Sequence, residues 1–140
     1  MGAGCDYPND CAGALQLTDI NGDKGSDLRT VSGSTPKWFK LFVNDYKPTF
    51  GNSNESYTAT LTSPPGLQFD LLAYDGNATM PDCFAAALQG SGSPKVISDA
   101  WPDGNGDDSR WITFEVRYIS GPACDGSAKW TLTVEGHTGG

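Results

Sequence analysis

Apolar and polar residues alternate with period two along most of this chain, the pattern of a β-strand with one buried face. In "KWFKLFV" (37–43), Phe39, Leu41 and Val43 share one face, and Trp38, Lys40 and Phe42 the other. In "SYTATLT" (56–62), Tyr57, Ala59 and Leu61 face inward against Ser56, Thr58, Thr60 and Thr62. "SPPG" (63–66) turns the chain into "LQFDLLAY" (67–74), which "YDGN" (74–77) ends. "WITFEVRYI" (111–119) sets Ile112, Phe114, Val116 and Tyr118 against Trp111, Thr113, Glu115 and Arg117. "KWTLTVE" (129–135) turns Trp130, Leu132 and Val134 inward. A helix has room only around "PDCFAAALQG" (81–90), for a turn or two. Short alternating strands broken by Gly, Pro and Asp predict an all-β fold, an antiparallel β-sandwich of about eight strands. No internal repeat or linker interrupts 12–135, so residues 1–140 read as a single domain. Its ends are an N-terminal segment (1–11) and the tail "GHTGG" (136–140).

Composition adds the setting. The 140 residues carry a net charge of −8, which repels nucleic-acid phosphates and anionic lipid headgroups. No apolar run approaches the roughly 20 residues of a membrane span. No signal peptide is visible, and Met1-Gly2 reads as a start placed on a mature fragment. Aspartate outnumbers glutamate 14 to 3, which favours acidic turns over helix interiors.

The four cysteines, Cys5, Cys11, Cys83 and Cys124, suggest two disulfides and an oxidising, extracellular compartment. Three pairings are open; Cys5–Cys11 with Cys83–Cys124 needs the least long-range coincidence. Zinc is the weaker reading, because there is no C-x-x-C pair and the one histidine, His137, sits in the tail.

Catalytic constellations are hard to assemble. Nucleophilic catalysis needs a base held against Ser or Cys, and nothing would orient His137. Asp70 with Asp75 or Glu115 are nominal carboxylate pairs for glycoside hydrolysis, but carboxylates on strand faces are usually solvated. No catalytic residue is assigned.

Calcium fits the acidic loops better, because it takes hard oxygens from Asp, Asn and backbone carbonyls. Asp19, Asn21 and Asp23 repeat the D-x-N-x-D opening of an EF-hand, as do Asp103, Asn105 and Asp107. Neither completes it. The required glycine is Lys24 or Asp108, and the closing bidentate acid is Thr30 or Phe114. The competing reading is that these Asp and Asn side chains cap turns. The tryptophans offer a different chemistry. Trp38, Trp101 and Trp111 lie at strand starts or opposite the apolar stripes, beside Arg110 and acidic neighbours. Exposed rings with polar rims stack sugars and dock polymers; the competing reading, which comes first for each ring alone, is that Trp38 and Trp111 cover the ends of the sandwich core.

The order of these segments carries a family resemblance. "YPNDCAGALQL" (7–17) resembles the E-P-N-D-x-x-x-x-A-x-x-L opening of the bacterial pre-peptidase C-terminal domain. "KWFKLFV" is similar to that family's D-W-F-x-F-x-V strand. "TATLTSPPGLQFDLLAYD" resembles its next strand pair, and "GDDSRWITFEVRYISG" with "AKWTLTVEG" its last hairpin. The resemblance spans nearly the whole chain in order. It implies a jelly-roll-like β-sandwich, non-catalytic, appended to secreted hydrolases, with relatives that bind collagen, polysaccharide or Ca²⁺. Carried over by motif, Asn9 and Asp10 would be calcium ligands, joined by Asp19, Asn21, Asp23 or Asp27. Departures stand at Tyr7, where the family has Glu, and at Thr35, Pro36 and Lys37, which replace acids before the Trp.

The resulting expectation is a secreted module that anchors a larger protein to an extracellular polymer, polysaccharide ahead of matrix protein. Trp38, Trp101, Arg110 and Trp111 would make the contact. Calcium would sit at the N-terminal set or at Asp103, Asn105, Asp107 and Asp108. The alternative is a structural or assembly module with no polymer ligand, which would associate through sheet edges.

Overall fold

The computed structural model describes residues 14–22, 27–44, 54–77, 79–82, 88–102, 109–121, 124 and 128–136. Within them lie ten strands in two sheets. They are β1 (Leu15–Gln16), β2 (Ile20–Asn21), β3 (Leu28–Gly33), β4 (Lys37–Asn44), β5 (Asn54–Thr62), β6 (Gln68–Asp75), β7 (Leu88–Gln89), β8 (Lys95–Pro102), β9 (Arg110–Ser120) and β10 (Trp130–Gly136). One sheet has six strands in the order β1-β4-β9-β6-β7, with β2 also on β4; the other has four, β3-β10-β5-β8. From β2 onward, every connection except β6 to β7 passes to the opposite sheet, as in a jelly-roll path.

The inward-facing residues of both sheets form one core. Phe39, Leu41, Val43, Ala59, Leu61, Ile112, Phe114, Val116, Leu132 and Val134 are fully buried. Trp130 meets Phe39 edge-on at 5.8 Å between ring centroids, and its indole N–H donates to the Thr35 carbonyl at 3.0 Å. That ring packs closely against β3, where a Cβ on Gly33 would come within 2.6 Å of it. The "SPPG" segment turns as its residues dictate. Gly66 takes a φ of 83°, and the Leu67 N–H reaches back to the Pro64 carbonyl at 3.2 Å, the pattern of a type II turn with proline before glycine.

Three details refine the expected antiparallel β-sandwich. No helix occurs among the described residues: Leu88–Gln89 pair with Leu72 and Ala73 of β6, and 83–87 lie outside the description. Pairing is not wholly antiparallel, because β1 and β2 each run parallel to β4. Two long strands, β3 and β8, are additional to those read from the alternation. The inward positions of β3 are Arg29, Val31 and Gly33, opposite Val134, Leu132 and Trp130, so a single apolar side chain marks that face. On β8 the inward series Ile97, Asp99, Trp101 is interrupted by an acid.

Cys124 is buried in the core, as expected of a structural cysteine. Cys5, Cys11 and Cys83 lie outside the described residues, so the disulfide pairing stays an expectation.

Candidate functional site

Period two sends a second set of side chains to the outer face of the six-stranded sheet. β4 contributes Trp38, Lys40 and Phe42, paired with Glu115, Thr113 and Trp111 of β9. Leu72 and Tyr74 of β6 lie beyond, opposite Glu115 and Thr113. Two aromatic pairs form here. Trp38 packs on Tyr74 at 5.1 Å, and with Leu72 these rings make a small buried cluster. Phe42 packs on Trp111, also at 5.1 Å; both are half-buried. The Lys40 ammonium stands 6.0 Å from the Trp111 ring. Trp38, expected at an open face, is 9% exposed and offers no free ring.

Beside the Trp38–Tyr74 pair lies a closed polar network. Tyr74 donates to Glu115 Oε1 at 2.7 Å. Arg117 donates through Nε to Oε2 at 2.8 Å and through Nη2 to Oε1 at 2.9 Å. The bidentate grip explains how a carboxylate only 2% exposed is tolerated. Burial and the Glu115 acceptor push the Tyr74 phenol up to about 12. Asp70, also on this face, accepts from Gln89 and from the Leu71 N–H. Asp75 points to the opposite face, inward beside Ile112. Of the nominal hydrolytic pairs, Asp70 and Asp75 are thus on opposite faces and not brought together, whereas Asp70 and Glu115 share the outer face, each held by protein donors.

Trp101 and Arg110 belong to the interior instead. Trp101 is 4% exposed and meets Tyr57 edge-on at 6.4 Å. The Arg110 guanidinium lies over its ring at 4.5 Å and pairs with Asp75 Oδ2 at 3.6 Å. The four expected contact residues thus divide among an outer buried cluster, an outer half-buried pair and an inner end. Around Arg110 gather Tyr57 of β5, directly opposite Asp99 of β8, and Asp75 at the end of β6. Burial, then the Asp99 and Asp75 charges, raises the Tyr57 hydroxyl well above its usual range, with Arg110 opposing. Asp75 is also raised, by burial and then by Asp99, again against Arg110.

Of the N-terminal acidic set, Asp27 accepts the Asn21 backbone N–H at 2.9 Å and Asp19 accepts the Asn44 amide at 3.2 Å. Arg29 reaches the Thr18 and Asp19 carbonyls at 3.1 and 2.6 Å. The Asp27 contact with a backbone N–H is of the kind by which Asp side chains cap turns. Asn9, Asp10, Asp23, Asp103, Asn105, Asp107 and Asp108 lie outside the described residues. At the far end of the sandwich, a groove of about 350 Å³ between 63–69 and 92–95 contains none of the expected site residues.

Sequence reasoning passed over Phe42, Tyr57 and Asp99 as site residues. Phe42 carried a signal, being on the same side of its strand as Trp38. Asp99 would have stood out as an acid at an inward position had β8 been recognised.

No protein-family model matches the chain, and no curated protein matches it. Among solved structures, it is similar to the pre-peptidase C-terminal domain of a collagenase from Bacillus anthracis. The two share 11% identity with a TM-score of 0.46, over 86% of this chain and 95% of the other. A likeness of that order concerns the course of the chain and says nothing of what either domain binds.

Proposed function

We propose that this domain is a non-catalytic, extracellular binding module that holds a larger protein on a polymer, polysaccharide in preference to protein matrix. The observation that carries the reading is the half-buried Phe42–Trp111 pair beside Lys40 on the outer sheet face. Two adjacent rings give apolar area for a sugar face, and the ammonium supplies hydrogen bonds at the rim. The contact set is narrower than the sequence suggested: Trp111 stays, Phe42 and Lys40 join it, and Trp38, Trp101 and Arg110 support the fold. A non-catalytic role agrees with the carboxylates: Glu115 and Asp70 already have protein partners. The module would act by proximity, raising the effective concentration of its parent at an insoluble substrate.

Retention on cellulose, xylan, chitin and collagen tests this. Wild type is expected to be held on at least one polysaccharide. Phe42→Ala and Trp111→Ala should each weaken retention about ten-fold, matching a stacking loss of roughly 1–1.5 kcal/mol. Retention unchanged in both variants would remove the site. No retention on any polymer would favour the structural or assembly alternative.

A further inference from the structure

We propose that Tyr57, Asp75 and Asp99 form a site for a hard divalent cation, Ca²⁺, at the end of the sandwich interior. The inference is independent of the polymer-binding face and of the acidic segments around Asp10 and Asp19.

Three oxygens from three neighbouring strands are each buried and each lack a hydrogen-bond partner: Asp75 Oδ1, Asp99 Oδ2 and the Tyr57 hydroxyl. The two carboxyl groups lie within hydrogen-bonding reach of each other, so acceptor faces acceptor. Their other oxygens are occupied, Asp75 Oδ2 by Arg110 at 3.6 Å and Asp99 Oδ1 by the Ala100 N–H at 2.9 Å. Tyr57 is fully buried and stands directly across from Asp99 on the inward face, against the Trp101 ring that carries the Arg110 partner of Asp75, so its hydroxyl belongs to the same cluster. A buried phenol without a partner costs roughly 1–3 kcal/mol, and two facing carboxylates add repulsion. A cation between them removes both penalties.

The donor set is all hard oxygen, which selects Ca²⁺ over softer metals. Ca²⁺ takes about six to eight oxygens, so water and backbone carbonyls would complete the shell. The site is reachable, because the Asp75 side chain is 26% exposed. Arg110 balances one carboxylate and is held in place by the Trp101 ring beneath it.

The full chain, first stripped with chelator, is titrated with Ca²⁺ by calorimetry and separately with Tb³⁺. Trp101 and Tyr57, 6.4 Å apart, should sensitise the Tb³⁺ luminescence, and Ca²⁺ should quench it by competition. Asp99→Asn keeps the shape and should lose the signal. Tyr57→Phe should weaken Ca²⁺ about ten-fold, with near-ultraviolet circular dichroism confirming that both variants fold. Asp10→Asn and Asp19→Asn should bind like wild type. An unchanged Kd in folded Asp99→Asn and Tyr57→Phe overturns the assignment, as does loss of the signal in Asp10→Asn alone. Absence of any binding to wild type also overturns it, leaving a shared proton between the two acids. None of these outcomes bears on retention by a polymer.

Discussion

Two tyrosine–carboxylate–arginine clusters lie on opposite faces of the six-stranded sheet, and they solve the same problem to different degrees. On the outer face, Glu115 receives Tyr74 and both arms of Arg117, so each of its oxygens is met by donors. On the inner face, Arg110 reaches one oxygen of Asp75, while Tyr57, Asp75 and Asp99 each keep an unmet polar atom. A buried carboxylate with a full set of donors is finished structure; one with a gap is a place for something else. The geometry of the strands causes the difference. Glu115 and Arg117 are two apart on β9 and share a face, so the pair is local. Asp75 and Asp99 come from strands in different sheets and bring no donor of their own.

The largest effect should come from removing what supports the inner cluster. Trp101→Ala deletes a buried ring that packs on Tyr57 and carries the Arg110 guanidinium. A loss of about 3–5 kcal/mol is expected from the cavity, measured by urea denaturation of the chelated protein. A loss below about 1 kcal/mol would mean that the ring is not a core element. Glu115→Ala should cost less, about 2 kcal/mol, because it strands the Tyr74 hydroxyl while Arg117 returns to water. Equal costs for the two variants would erase the distinction between scaffold and network.

Much of this arrangement was legible in the alternation. The faces of β4, β9 and β10 follow directly from period two, which puts Phe42 and Trp111 each opposite an apolar stripe; the pairing of β4 with β9 then brings the two rings together. What stayed hidden had a shared cause: strands whose inward positions are not apolar. Arg29 and Gly33 on β3 face the core side because one reaches carbonyls of a neighbouring segment and the other leaves room for Trp130. Asp99 on β8 does so beside Tyr57. Neither requirement is local, so no window along the chain reports it. The same limit misplaced Trp101. Its neighbours in sequence are acidic, yet its neighbours in space are Tyr57 and Arg110.

The sign of the next effect separates the clusters better than its size. In chelator, Asp99→Asn replaces one facing acceptor with an amide that can donate to Asp75 Oδ1. It should therefore leave the fold at least as stable as wild type, with a gain of about 1 kcal/mol for one new buried hydrogen bond. Calcium should then reverse the ranking, since it stabilises wild type alone. The corresponding change on the outer face, Glu115→Gln, should destabilise in both conditions, because its amide N–H would meet the donors of Arg117. A clear loss of stability for chelated Asp99→Asn would show that the Asp99 carboxylate already has its donor, and the two clusters would be alike.

Arg117→Gln should have the smallest effect. Arg117 satisfies both oxygens of Glu115 in good geometry, which argues for a large contribution. Its side chain is 47% exposed, however, while that of Glu115 is 3%. The guanidinium therefore gives up a favourable contact with water to form the pair, and salt screens what is gained. Glutamine keeps one donor in reach of Glu115, and Tyr74 keeps its bond. The expected cost is about 0.5 kcal/mol, shrinking further at high salt, as read from urea midpoints at low and high ionic strength. A cost above about 2 kcal/mol would mean that Glu115 depends on Arg117 as a truly buried ion depends on its partner. The outer network would then rest on one exposed side chain, and its contrast with the inner cluster would be one of degree.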